Sequence, residues 1–161
     1  MATSANRALP NVDSYARLAL QSFTRILLIL PKEERLFAGG TFSLTDEHGV
    51  PYFGFQVGEP PLEKRQGRWA RSFEKSLRAA HGHCKTSRAT RQPVLDRWGG
   101  SLWGNLSTYR GSFSGFPEDY DEIFVADVMV AARDMSAAEA KRQLGPNKTF
   151  KKFKHDFVWA R

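Results

Sequence analysis

Of 161 residues only one, Cys84, is a cysteine. That excludes an intrachain disulfide and a cysteine-rich zinc site. Long apolar runs are missing as well: the longest, Ile26 to Leu30, is far too short to span a bilayer. Met1 to Pro10 carries one arginine and no apolar segment, so it does not read as a secretory signal. There is no Walker loop, no dinucleotide glycine fingerprint after a strand and no Gly-x-Ser-x-Gly elbow. Internal repeats and low-complexity blocks are absent too. The expected setting is the cytoplasm.

Acidic residues are scarce in two stretches. Residues 64–97 hold ten Lys/Arg against Glu74 and Asp96, a net of +8; residues 141–161 hold seven against Asp156, a net of +6. The whole chain is +7, so the remainder carries −7. Segregation of this kind speaks to partners rather than to fold. It points to an anionic group at one or both basic blocks, with nucleic acid as one alternative given a pI near 9.8. Complementarity between the basic blocks and the acidic remainder also makes a homo-oligomer the expected state.

Length and composition fit one globular domain that buries about two thirds of its unfolded surface. Residues 1–12 read as a flexible lead-in. Asp13 or Ser14 is placed to cap a helix whose stripe is Tyr15, Leu18, Ala19, Ser22, Phe23, Ile26, Leu27 and Leu30; Pro31 ends it. Thr41 to Thr45 alternates as a strand, Asp46-Glu47-His48-Gly49 reads as a hairpin loop, and Val50 to Val57 as an aromatic-rich second strand. A helix is predicted over 66–81, stopped by Gly82. At 100° per residue Trp69, Phe73, Leu77 and Ala80 share one side, expected to face the core. Arg68, Arg71, Lys75 and Arg78 share the other, expected to face solvent. Residues 83–96 read as a basic loop. Gly99-Gly100 then introduces two short strands around a turn near Ser107. Pro117-Glu118-Asp119 opens a helix running to about Met135, its carboxylates facing the positive end of the dipole and Asp121 or Glu122 able to reach back as a cap. Gly145-Pro146 breaks the chain before Phe150, Phe153, Phe157 and Trp159, interleaved with lysines and expected to pack their rings onto the body or a neighbouring subunit. The order α-β-β-α-β-β-α describes an α+β sandwich, an antiparallel sheet flanked by helices.

Four groups of residues resemble the haem-binding/haem-degrading superfamily of profilin-like α/β domains, the GlcG and HbpS type. They are the hairpin Thr45-Asp46-Glu47-His48-Gly49; Trp69, Lys75 and Gly82-His83; Gly99-Gly100 before a strand; and Ser114-Gly115 leading to Glu118, Asp121 and Glu122. The likeness covers roughly residues 13–135 and leaves 136–161 as a basic-aromatic extension. Ser112 stands where the family usually has glycine, and His83 fits only with a one-residue insertion.

The resemblance implies a profilin-like fold and a small ligand, with haem or another tetrapyrrole favoured. His81 and His83 are then candidate iron ligands, and Arg71, Lys75, Arg78, Lys85 and Arg88 candidate partners of propionates or another anion. Beside this stand the blander readings: imidazoles solvated at a helix end, and a cationic face that confers solubility. Cys84 has no identifiable base and reads as unreactive, and His48 as a surface residue. A nucleic-acid-binding or regulatory module, and a structural or interaction protein without a ligand, are the alternatives.

Overall fold

The alternation of Phe42 and Leu44 with Thr41, Ser43 and Thr45 builds a strand with one apolar and one hydroxyl face. In the computed structural model, which describes residues 9–95 and 97–153, this strand lies inside a four-stranded antiparallel sheet. Its strands are β1 (Gly40–Thr45), β2 (Pro51–Val57), β3 (Ser101–Trp103) and β4 (Arg110–Ser114), in the order β2-β1-β4-β3. The Asp46 carboxylate closes the hairpin by accepting from His48 N at 2.8 Å and Val50 N at 2.9 Å, with Gly49 at φ +86°.

Helices cover both faces. α1 (Val12–Ile29) and α4 (Glu118–Ala131) lie on the apolar face, and a four-residue α2 (Lys32–Arg35) follows α1. Tyr15, Ala19, Phe23 and Ile26 from α1 meet Phe42, Leu44, Phe113 and Phe124 in one core. Phe113 and Phe124 approach to 4.4 Å between ring centroids. The cap of α1 is Asn11, not Asp13 or Ser14: its side chain accepts from Ser14 N at 3.0 Å. Leu30 leaves helical angles before Pro31, as the proline requires. α4 ends at Ala131, short of the Met135 expected, and Arg133 turns the chain at φ +62°.

α3 (Leu62–His81) covers the other face, and here the expected orientation is reversed. Arg68, Ser72, Lys75, Ser76 and Ala79 are buried, while Trp69 and Leu77 are exposed at 47 % and 45 % and Phe73 is half-buried. Of the four apolar residues predicted for the core, only Ala80 is buried. The reason lies in the sheet: the face beneath α3 presents Thr41, Ser43, Ser101, Ser112 and Ser114, so the helix side that pairs with it is polar. Ser43 and Ser72 hydroxyls lie 2.8 Å apart, Ser76 and Ser112 2.5 Å, and Ser72 Oγ donates to Ser112 O at 3.3 Å. A buried hydroxyl left unpaired costs about 1–3 kcal/mol, so these mutual bonds make the polar layer tolerable. Small side chains let the helix approach closely. A hydrophobic-period argument assigns the polar faces of both elements to water; the structure zips them together.

The stretch from Ser136, set apart by sequence, is part of the same core. α5 (Ala137–Gln143) and α6 (Lys148–Phe153) bury Ala140, Leu144 and Phe150. Phe150 thus packs on the body as expected; Phe157, Trp159 and His155 lie outside the described residues. No helix among the described residues is long and apolar enough to cross a membrane.

Candidate functional site

The basic block is far less open to solvent than its sequence suggests. Lys75 Nζ, 2 % exposed, donates to Asp121 Oδ2 at 2.9 Å and to Phe113 O at 2.7 Å. Arg78 pairs with Glu74 at 2.8 Å and donates to the carbonyls of Ser87, Thr90 and Trp98, pinning the loop that follows α3. Arg88 reaches Asp119 at 2.5 Å and Glu122 at 2.8 Å; Arg91 reaches Glu118 at 3.3 Å. Arg68 donates to the carbonyls of Phe37 and Gly39. The acidic start of α4 is the partner of the basic block, so much of the charge complementarity expected between subunits is spent within the chain. The opposed signs shift the groups accordingly. Burial pushes the Glu122 carboxyl up despite Arg88. Burial also opposes ionisation of Asp119, but hydrogen bonds from Arg88 and Thr149 prevail and hold it below the usual range.

Asp121 reaches back as foreseen, accepting from Gly115 N at 3.2 Å and Phe116 N at 2.8 Å. Burial pushes its carboxyl up to about 6 against the pull of Lys75. With Arg71, Trp98, Phe116 and Glu118, this pair lines a cleft of about 350 Å³. Two cations and two carboxylates balance there. Its buried pair is also occupied, since Asp121 takes three donors. The arrangement serves as a clasp between α3 and α4.

A second cleft, about 310 Å³, lies where the β1–β2 hairpin meets the end of α3. Its lining comes from three distant segments: Glu47 and His48 from the hairpin; Ala80, His83, Cys84 and Lys85 from the end of α3; Trp103 and Arg110 from β3 and β4. The end of α3 is closed by Cys84 N to Ala79 O at 2.9 Å and His83 N to Ala80 O at 3.0 Å. His83, not Gly82, takes the left-handed conformation, at φ +51°. Arg110 ties the walls together, Nε donating to Glu47 O at 3.0 Å and Nη1 to Cys84 O at 2.6 Å. Burial holds its guanidinium pKa below the ordinary arginine value. Lys85 Nζ sits 3.1 Å from Glu139 and 5.3 Å from the centre of the Trp103 ring. The lining carries a lysine, an arginine, a glutamate, two imidazoles and an indole.

Of the residues singled out by sequence, this cleft unites His83 and Lys85. Arg71 and Lys75 line the other one, Arg78 and Arg88 brace loop and helix, and exposed His81 lines neither. Trp103 and Arg110 were missed, and His48, exposed as the sequence suggests, stands at the rim of the cleft. Arg110 had a signal: it shares the polar alternation of Ser112 and Ser114, where a long cation must find carbonyls or solvent. Trp103 had none, because only the sheet order brings it beside α3. Among the described residues no three His, Cys, Asp or Glu side chains come together as a metal site. Comparison with known protein families, with curated proteins and with solved structures finds no match.

Proposed function

We propose that this chain is a cytoplasmic small-ligand-binding domain of profilin-like type, and that its ligand is an anion held in the cleft between the hairpin and the end of α3. The observation that carries this reading is the convergence of His83 and Lys85 with His48, Arg110 and Trp103 around one opening. Cations favour carboxylate or phosphate groups, and an indole face suits a flat ring. Haem or another tetrapyrrole is the ligand class that the family resemblance implies. The lining fits such a group in kind: imidazole for iron, Lys85 and Arg110 for propionates, Trp103 for one face of the macrocycle. When bound, haem would supply its iron chemistry; His83 or His48 would hold the metal and the two cations would orient the ring. We assign no reaction to the protein.

Hemin titration tests this. The wild type should give a shifted Soret band. His48→Ala with His83→Ala should weaken binding at least ~10-fold, about 1.4 kcal/mol. His81→Ala, outside the cleft, should leave it unchanged. Absence of any shift in the wild type ends the haem reading. Equal weakening by His81→Ala removes the cleft as its location.

A further inference from the structure

The two edges of the sheet are treated differently. Beside β3, Gln143 imitates a neighbouring strand: its Oε1 accepts from Trp103 N at 3.1 Å and its Nε2 donates to Trp103 O at 2.6 Å. Thr86 adds an isolated bridge to Leu102 on the same strand. β3 is also only three residues long. β2, at the opposite edge, is seven residues long and ends the sheet, with no bridge beside it among the described residues. Its sequence, Pro-Tyr-Phe-Gly-Phe-Gln-Val, contains no charge. Lysines, inward-facing charges and covering segments are the usual devices that keep such an edge single. Beyond the proline that opens it and a bulge near Thr45, β2 has none of these.

The side of α3 that overlooks β2 is apolar and only partly covered. Leu62, Trp69, Phe73 and Leu77 fall on one stripe at spacings of seven, four and four. Trp69 and Phe73 lean over Gly54, at the middle of β2, where a Cβ would stand 2.8 Å from the Phe73 ring. Leu77 packs on Gly49 of the hairpin, next to Val50. Leu62 is 76 % exposed and Val50 60 %.

We propose that the protein forms a two-fold dimer through this edge, the occupant being a second copy of the same chain. The argument is one of self-complementarity. An antiparallel strand pairs with itself about an axis through its midpoint, and Gly54 is that midpoint. Such an axis sets Phe53 against Phe55 of the second copy, aromatic cross-strand pairs of the kind that stabilise sheets. It joins two four-stranded sheets into one of eight strands and brings the two α3 stripes together on the same side. Leu62, Trp69, Leu77 and Val50 leave roughly 400 Å² of apolar side chain in water, about half of the ~800 Å² per partner of a standard interface, and the strand edge would have to supply the rest. The dimer differs from the one that sequence charge suggested, because its contact is uncharged.

Light scattering after size-exclusion chromatography, run from low to high micromolar protein, reads the outcome. The wild type should approach twice 18.2 kDa. Leu77→Lys and, separately, Leu62→Glu should weaken association at least ~10-fold and return the monomer mass, with an unchanged far-UV spectrum. Leu62, at 76 % exposed, is the milder site, and the far-UV spectrum reports whether each variant folds. Gln143→Ala, at the other edge, should leave the dimer intact. A wild type that stays at 18.2 kDa throughout overturns the proposal. A dimer indifferent to both surface variants overturns it equally.

Discussion

Lys75→Met should destabilise the fold by about 3–5 kcal/mol in urea denaturation at neutral pH, because it strands a buried carboxylate. Asp121 would keep its bonds from Gly115 and Phe116 but lose the charge opposite it. Adding Asp121→Asn should recover roughly half or more of the loss, since the amide oxygen still accepts from those two backbone groups and no charge remains. The pH dependence has a definite sign. A carboxyl raised to about 6 contributes stability that is complete below its ordinary pKa and is lost as pH rises through 6. Without Lys75 the carboxyl rises further and takes up a proton sooner on acidification. The deficit of Lys75→Met against wild type should therefore be full at pH 8 and shrink towards pH 5. A deficit that stays constant across that range would assign the loss to packing of the lysine stem instead of to charge.

Gly40→Ala should cost about 2–3 kcal/mol or more, from one methyl group. Its Cβ would stand 1.8 Å from Ser114 O and 2.7 Å from Gly115 Cα. Both are backbone atoms, so no change of rotamer relieves the contact. β1 must part from β4 beside the Thr41–Ser114 pair, at the centre of the sheet. Gly67→Ala is the matched comparison. It lies within α3, where the nearest atom to an added Cβ is Arg71 Nη2 at 3.6 Å. There the same substitution should stabilise by about 0.5–1 kcal/mol through helix propensity alone. Equal effects at the two glycines would contradict the close approach of β1 to the β4–α4 turn.

Wherever a polar face meets solvent, sequence and structure agree. The stripe of α1 and the Asp46 hairpin follow the ordinary rule of apolar inside and polar outside. α3 does not, because the sheet face it covers is itself polar. Nothing in residues 62–81 announces that Ser72, Ser76 and Lys75 will find hydroxyls and a carboxylate above them. The clue was distributed: Ser43, Ser101, Ser112 and Ser114 occupy alternate positions of three strands, more serine than a wet sheet face needs. The candidate cleft was legible only at the end of α3. His83 and Lys85 are neighbours in sequence, but Arg110 and His48 join them through strand order. The salt bridges of Arg88 and Arg91 likewise depend on how the loop folds back onto α4.

The serine layer under α3 also sets how the protein responds to temperature. Apolar surface raises heat capacity when it is exposed, and polar surface lowers it. Lifting α3 from the sheet would wet hydroxyls, a lysine, an arginine and a carboxylate, whereas parting α1 and α4 from the other face would wet rings and aliphatic chains. Exposing the α3 side thus adds less heat capacity than exposing the α1–α4 side. On cooling, the aromatic side loses driving force while the hydroxyl side holds, so cold should loosen α1 and α4 before it loosens α3.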